Sequence, residues 1–132
     1  MTTPEAEKPE TAEAQPAAVF VRPEIIAKRA DFLAAAQGRR MALPGFHLQA
    51  RFRDDGSDAV RVGFTCSKKV GNAVARNRAK RRLREIARLT LPDQGRDGFD
   101  YVLIGRREVT AVRPFETLLA DLREALSKAH GQ

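Results

Sequence analysis

Two stretches of this chain alternate apolar and polar residues with period two, and three others repeat apolar residues every three or four positions. In the first alternating stretch Phe46, Leu48, Ala50 and Phe52 oppose His47, Gln49, Arg51 and Arg53. In the second, Val60, Val62, Phe64 and Cys66 oppose Arg61, Gly63, Thr65 and Ser67. Successive side chains of a strand point to opposite faces, so both predict half-buried strands. The turn-forming run Asp54-Asp55-Gly56-Ser57-Asp58 lies between them and predicts a hairpin. Tyr101 to Gly105 is an apolar run of strand length, expected to be buried on both faces. Helical spacing first appears in Ile25, Ile26, Arg29, Phe32, Leu33 and Ala36, after an extended Val21-Arg22-Pro23 and before the helix terminator Gly38. A second helix is expected from Ala73, capped by Asn72, to about Leu89, with Leu91-Pro92 ending it. A third opens at Pro114 and carries Phe115, Leu118, Leu119, Leu122 and Leu126 as its apolar stripe. Helix, strand, strand, helix, strand, helix is not a regular βαβ repeat. It predicts an α+β sandwich, a small mixed sheet with helices packed on it.

Residues 1–19 do not fit either periodicity. They are Pro, Ala, Glu and Thr with almost no bulky apolar residue, a composition that cannot offset its ordering entropy. They are expected to be a disordered tail, and residues 20–132 a single domain. The tail carries Glu5, Glu7, Glu10 and Glu13 against Lys8, a net of −3. The chain as a whole is +7, so the rest carries +10. The tail is read as a passive extension, with weak competition for a basic surface as the alternative.

That charge changes the picture, because a polyanionic partner becomes the first expectation. Only six of the 24 cations are Lys, and Arg presents a planar fork that suits phosphate and base recognition. The single cysteine, Cys66, allows no internal disulfide and reads as a small core residue. His47 and His130 lack ligand-like spacing, and Asp54, Asp55 and Asp58 read as solvated turn residues rather than metal ligands. The chain has no signal-peptide pattern and no apolar run long enough for a membrane span, so a cytoplasmic protein is expected.

The cations concentrate in Ser67–Leu89. On a helical wheel Ala75, Ala79, Leu83, Ile86 and Ala87 share one arc. Asn77, Arg78, Lys80, Arg81, Arg84 and Arg88 share the opposite arc, with Arg76 and Arg82 at the borders. Arg76, Lys80, Arg84 and Arg88 form a continuous i,i+4 row of like charge, relieved only where Glu85 can reach Arg81 or Arg82. Such a row costs stability, which an external polyanion would offset. This favours nucleic acid over a solvated face, and over a membrane surface, for which the apolar arc lacks Trp or Phe. No two-helix or dimeric DNA-reading frame is visible, whereas RNA backbone recognition asks only for a fixed array of Arg and Lys. A DNA-binding module and a general RNA-binding or ribosome-associated protein remain as alternatives.

The segments Arg61-Val62-Gly63-Phe64-Thr65, Ser67-Lys68-Lys69-Val70-Gly71-Asn72-Ala73-Val74, Arg76-Asn77-Arg78 and Lys80-Arg81-Arg82-Leu83-Arg84-Glu85 resemble the protein subunit of bacterial ribonuclease P. Ala30-Asp31-Phe32, Gly38-Arg39 and Asp100-Tyr101-Val102-Leu103-Ile104-Gly105-Arg106 are similar to further parts of that family. The resemblance covers roughly residues 25–128. It implies a two-layer, ribosomal-protein-like α-β sandwich with a left-handed crossover around the basic helix. It also implies a partner, a catalytic RNA that uses bound Mg²⁺ to remove the 5′ leader from precursor tRNA, the protein itself carrying no catalytic residue and being monomeric. Lys68, Lys69, Arg76, Asn77, Arg78, Lys80, Arg81 and Arg84 would contact RNA. Phe32, Arg39, Phe46 and Gln49 would line a leader-binding cleft between the first helix and the sheet. Phe32 suits base stacking there, or else plain core packing. Ala36 stands where the family often has a second aromatic.

Overall fold

The computed structural model describes residues 23–131, and the expected tail at residues 1–19 lies outside them. Five strands form one sheet: β1 (Glu24–Ile25), β2 (Arg39–Ala42), β3 (Phe46–Phe52), β4 (Arg61–Thr65) and β5 (Phe99–Gly105), in the spatial order β1-β4-β5-β3-β2. The last strand in sequence is therefore central. It pairs parallel with β4 and antiparallel with β3. The hairpin expected between residues 46–53 and 59–67 does not form, because β5 inserts between those two strands. Its Tyr101, Val102 and Leu103 are essentially fully buried, which is what a strand covered on both faces requires.

Four helices cover the sheet. These are α1 (Arg29–Ala35), α2 (Ala73–Gln94), α3 (Val109–Val112) and α4 (Phe115–Ala129). On one face Leu48, Val62, Tyr101 and Leu103 pack against Leu83, Ile86 and Leu91 of α2 and Leu118, Leu122 and Leu126 of α4. On the other face the short α1 covers Val102 and Ile104 with Ala35 and Phe32. The mixed α+β sandwich follows from this layering.

Several boundaries differ from the sequence expectation. Ile25 and Ile26 do not join α1. The free edge of β4 recruits this segment, with Glu24 N donating to Val60 O and Ile26 N to Val62 O, both at 2.8 Å. Arg39–Ala42 lacks alternation yet pairs with β3 as an edge strand. Helix α2 continues through Pro92 to Gln94. Proline there removes one N–H within the last turns, while the burial of Thr90 and Leu91 holds the helix in place.

A buried carboxylate ties the strands together. Asp100 on β5 is fully enclosed and accepts from Arg53 Nη1 at 2.8 Å and from Arg61 Nε and Nη2 at 2.7 and 2.6 Å. Arg61 also reaches Asp31 of α1 at 3.4 Å. Arg53 further donates to the carbonyls of Phe99 and Ala59. One acid thus joins β4, β5, the 54–59 turn and α1.

Candidate nucleic-acid interface

The basic helix is launched by a tight connection. After β4, residues Lys68–Val70 form one 3-10 turn, which Ser67 caps by accepting from Lys69 N at 3.2 Å. Gly71 then adopts φ 151°, and a Cβ on it would lie 2.9 Å from that of Ala75. Only glycine turns the chain there without strain. Asn72 caps α2 by accepting from Ala75 N at 2.9 Å. Lys68 and Lys69 are thereby left exposed at the helix mouth.

Ala79, Leu83, Ile86 and Ala87 are buried as the wheel requires. Val74 lies outside that arc, on the cationic side of the wheel, and is 76% exposed. Asn77, Arg78, Arg81 and Arg84 are exposed, and Arg76 and Lys80 are half-buried beside Cys66. Among the described residues none of Arg76, Arg78, Lys80, Arg81 or Arg84 meets a carboxylate at ion-pair distance. Arg76 Nε is buried without a hydrogen-bond partner. Glu85 relieves neither Arg81 nor Arg82. It pairs with Arg88, whose Nε lies 3.1 Å from Oε1, because the i,i+3 spacing lets the two stack along the helix. Arg82 leaves the array altogether by donating to the Arg113 carbonyl. Burial, and then the charge of Arg78, lowers its pKa.

The second surface is the α1 face of the sheet. Phe32 lies against Gly63, where a Cβ would stand 2.6 Å from its ring, and packs with Ile26, Val102 and Ile104. It remains half-exposed, so packing and exposure coexist in one ring. Gln49 belongs to this face. Phe46 does not: it is fully buried in the core under α4, since it alternates with His47 and shares the parity of Leu48. Arg39 pairs in register with Ala50 and so shares that same face, whereas Arg40 pairs with Gln49 and faces the α1 side.

The structure adds cations that sequence reasoning missed. A concavity of about 450 Å³ is lined by Arg40, His47, Gln49 and Ile104. A second, of about 690 Å³, is lined by His47, Lys68, Lys69, Gly105, Arg106 and Arg107 at the carboxyl ends of β4 and β5. They share His47, so the α1 face and the mouth of α2 form one basic trough. Burial, then Arg106 and Arg40, lowers the His47 pKa and keeps the ring neutral at neutral pH. Strand alternation already places His47 beside Gln49. The roles of Arg40, Arg106 and Arg107 depend on register and on which strand ends adjoin, which the sequence does not carry.

The trough has the character of a binding surface. Cys66 Sγ sits against Gly105, and burial raises its thiol pKa, so it is no activated nucleophile. Among the described residues no group of three or more His, Cys, Asp and Glu is placed to hold a metal ion. No helix among them is long and apolar enough to cross a membrane.

The family model described as Ribonuclease P matches residues 20–130. The chain belongs to the ribonuclease P protein family. The ribonuclease P protein component of Ruegeria pomeroyi is 65% identical over 107 residues, 80% of this chain and 86% of that one. That of Gluconacetobacter diazotrophicus is 53% identical, over 77% of this chain and 87% of that one. Among solved structures, the ribonuclease P proteins of Staphylococcus aureus and Thermotoga maritima both superpose with a TM-score of 0.66. Their identities are 27% and 28%, and the matches cover 82% and 81% of this chain and 96% and 97% of those. The family match includes every residue placed above on α2 and in the trough.

Proposed function

We propose that this ribonuclease P protein docks on the catalytic RNA through α2 and its mouth, and holds the 5′ leader of precursor tRNA in the trough. The observation that carries this reading is the uncompensated cationic face of α2, continuous through Lys68 and Lys69 with the trough. An RNA backbone supplies countercharge that the described residues do not. Arg76, Asn77, Arg78, Lys80, Arg81 and Arg84 meet the catalytic RNA, and Lys68 and Lys69 meet phosphates at the turn. Phe32, held against Gly63 and Ile104, offers its ring to a leader base, and Ile104 joins it to the concavity of Gln49, Arg40 and His47.

The protein positions, and Mg²⁺ belongs to the RNA subunit, where it supplies the chemistry of phosphodiester hydrolysis. A monomer working in the cytoplasm suits this role. The test is reconstitution with the catalytic RNA at low Mg²⁺. Cleavage of precursor tRNA should accelerate on adding the protein, and more for a substrate with a leader of several nucleotides than for one with a single nucleotide. No acceleration with either substrate overturns the reading.

A further inference from the structure

A groove of about 210 Å³ runs between β1 and α2, on the far side of α2 from its contact with α3. Its floor is apolar: Pro23, Ile25, Val62, Phe64 and Ala87. Its rim is cationic, with Arg84 and Arg88, and the Arg84 guanidinium stands 5.9 Å from the centre of the Phe64 ring. Ile25 is 65% exposed, a large apolar side chain open on an edge strand. This is too small for a folded partner and suits one aromatic or two aliphatic side chains.

Pro23, where the described residues begin, lines this groove. Immediately before it come Val19, Phe20, Val21 and Arg22, and further back Glu5, Glu7, Glu10 and Glu13. Three residues of extended chain reach roughly 10 Å, enough for Phe20 to turn back onto Ile25 and Phe64. Glu13 is ten residues from Pro23, a reach of roughly 35 Å. From Arg76 to Arg84 the unpaired row of α2 spans only about 12 Å. Apolar residues therefore lie within reach of the apolar floor, and acids within reach of the unpaired cations.

We propose that the first 22 residues dock in cis, with Val19, Phe20 and Val21 covering the groove and the four glutamates lying along the Arg76–Lys80–Arg84 row, where they compete with RNA. The competition rests on the proposed role of α2, but the docking does not. The segment acts as an electrostatic screen: it supplies countercharge to the free protein and yields to the denser charge of structured RNA. Weak or non-specific polyanions are excluded first.

The test uses methyl and aromatic NMR of the RNA-free full chain, together with RNA affinity. Phe20→Ser should shift the signals of Ile25, Val62, Phe64 and Ala87 while leaving Leu118 and Leu122 in place as controls of the fold. The quadruple variant E5Q/E7Q/E10Q/E13Q should bind the catalytic RNA roughly threefold to tenfold more tightly at low salt, with the gap closing at high salt. Unshifted groove signals overturn the docking whatever RNA does. Groove signals that move with protein concentration instead assign the groove to a second copy and also overturn it. Equal affinity of the intact and quadruple-variant chains at low salt overturns the competition. Loss of RNA binding by both chains is instead a failure of the proposed role of α2, and the NMR result still decides the docking.

Discussion

Asp100→Asn is the sharpest perturbation of this fold. The native carboxylate is completely enclosed and accepts three short charge-assisted bonds from Arg53 and Arg61. Each cation at this distance contributes about 4 kcal/mol of Coulomb energy at an effective dielectric of ~20, from which the desolvation of the acid must be subtracted. Asparagine keeps the shape but removes the charge and turns an amide donor toward a guanidinium. The Arg53 side chain, itself only 4% exposed, then keeps carbonyl contacts and the half-exposed Asp55. Breaking one side of such a buried pair costs about 3–5 kcal/mol, a large share of the ~5–15 kcal/mol that holds a typical domain. Urea unfolding followed by circular dichroism at neutral pH should show the midpoint falling with the slope unchanged. Replacing Asp100 and Arg61 together by apolar residues should cost less than the sum of the single changes. The pH dependence follows the same logic. Burial pushes the Asp100 pKa up, but the hydrogen bonds and charges of Arg61 and Arg53 outweigh it and hold it below its ordinary 3.8. Its stabilisation is therefore complete above that value and is lost as pH falls below it. A loss under about 1 kcal/mol for Asp100→Asn would refute the reasoning, since that is the size expected of a solvent-screened surface pair.

Three further outcomes are expected. Arg76→Ala with Arg78→Ala should lower the slope of log affinity for RNA against log salt by roughly 1.5 while the urea midpoint stays nearly unchanged, because Arg78 is exposed and Arg76 Nε is already unpartnered. Gly63→Ala should displace the Phe32 ring, 2.6 Å from the new Cβ, and in reconstituted cleavage weaken the response to a long leader more than that to a short one. Stability should also fall as pH drops below about 6.5, the ordinary histidine value. Both His47 and His130 have lowered pKa values, from burial first and then from Arg106 and Arg40, or Arg96 and Arg39. The unfolded chain thus takes up protons before the native one does. Replacing both histidines with Gln should flatten that dependence in thermal unfolding.

The parts legible in the sequence were those written in local periodicity. Alternation placed β3 and β4 and the inward face of each, and the 3.6-residue stripe placed the buried side of α2 and α4. Where pairing is non-local, periodicity was silent. Nothing in residues 46–67 says that Phe99–Gly105 will separate the two strands, so a turn-rich linker was read as a hairpin. The cleft suffered for the same reason. Phe46 and Gln49 lie on opposite parities of one strand and could not both line it. The choice between Arg39 and Arg40 was settled by the register of β2 against β3. On α2 the apolar arc of the wheel is the side that is covered, with Ala75 only half-buried. Arg82 and Arg88 were read as part of the array, yet a carbonyl on Arg113 and the carboxylate of Glu85 remove them from it.

The central position of β5 has a consequence for how the molecule comes into being. Synthesis delivers β1 to β4 first, and neither β3 nor β4 can satisfy its inner edge until residues 99–105 emerge. A nascent chain halted before that point carries open strand edges and an uncovered apolar face, the features that make partly folded chains associate. The same strand supplies Tyr101 and Leu103 to the core and Ile104 and Gly105 to the trough. Completion of the sheet and creation of the basic trough are thus a single late event.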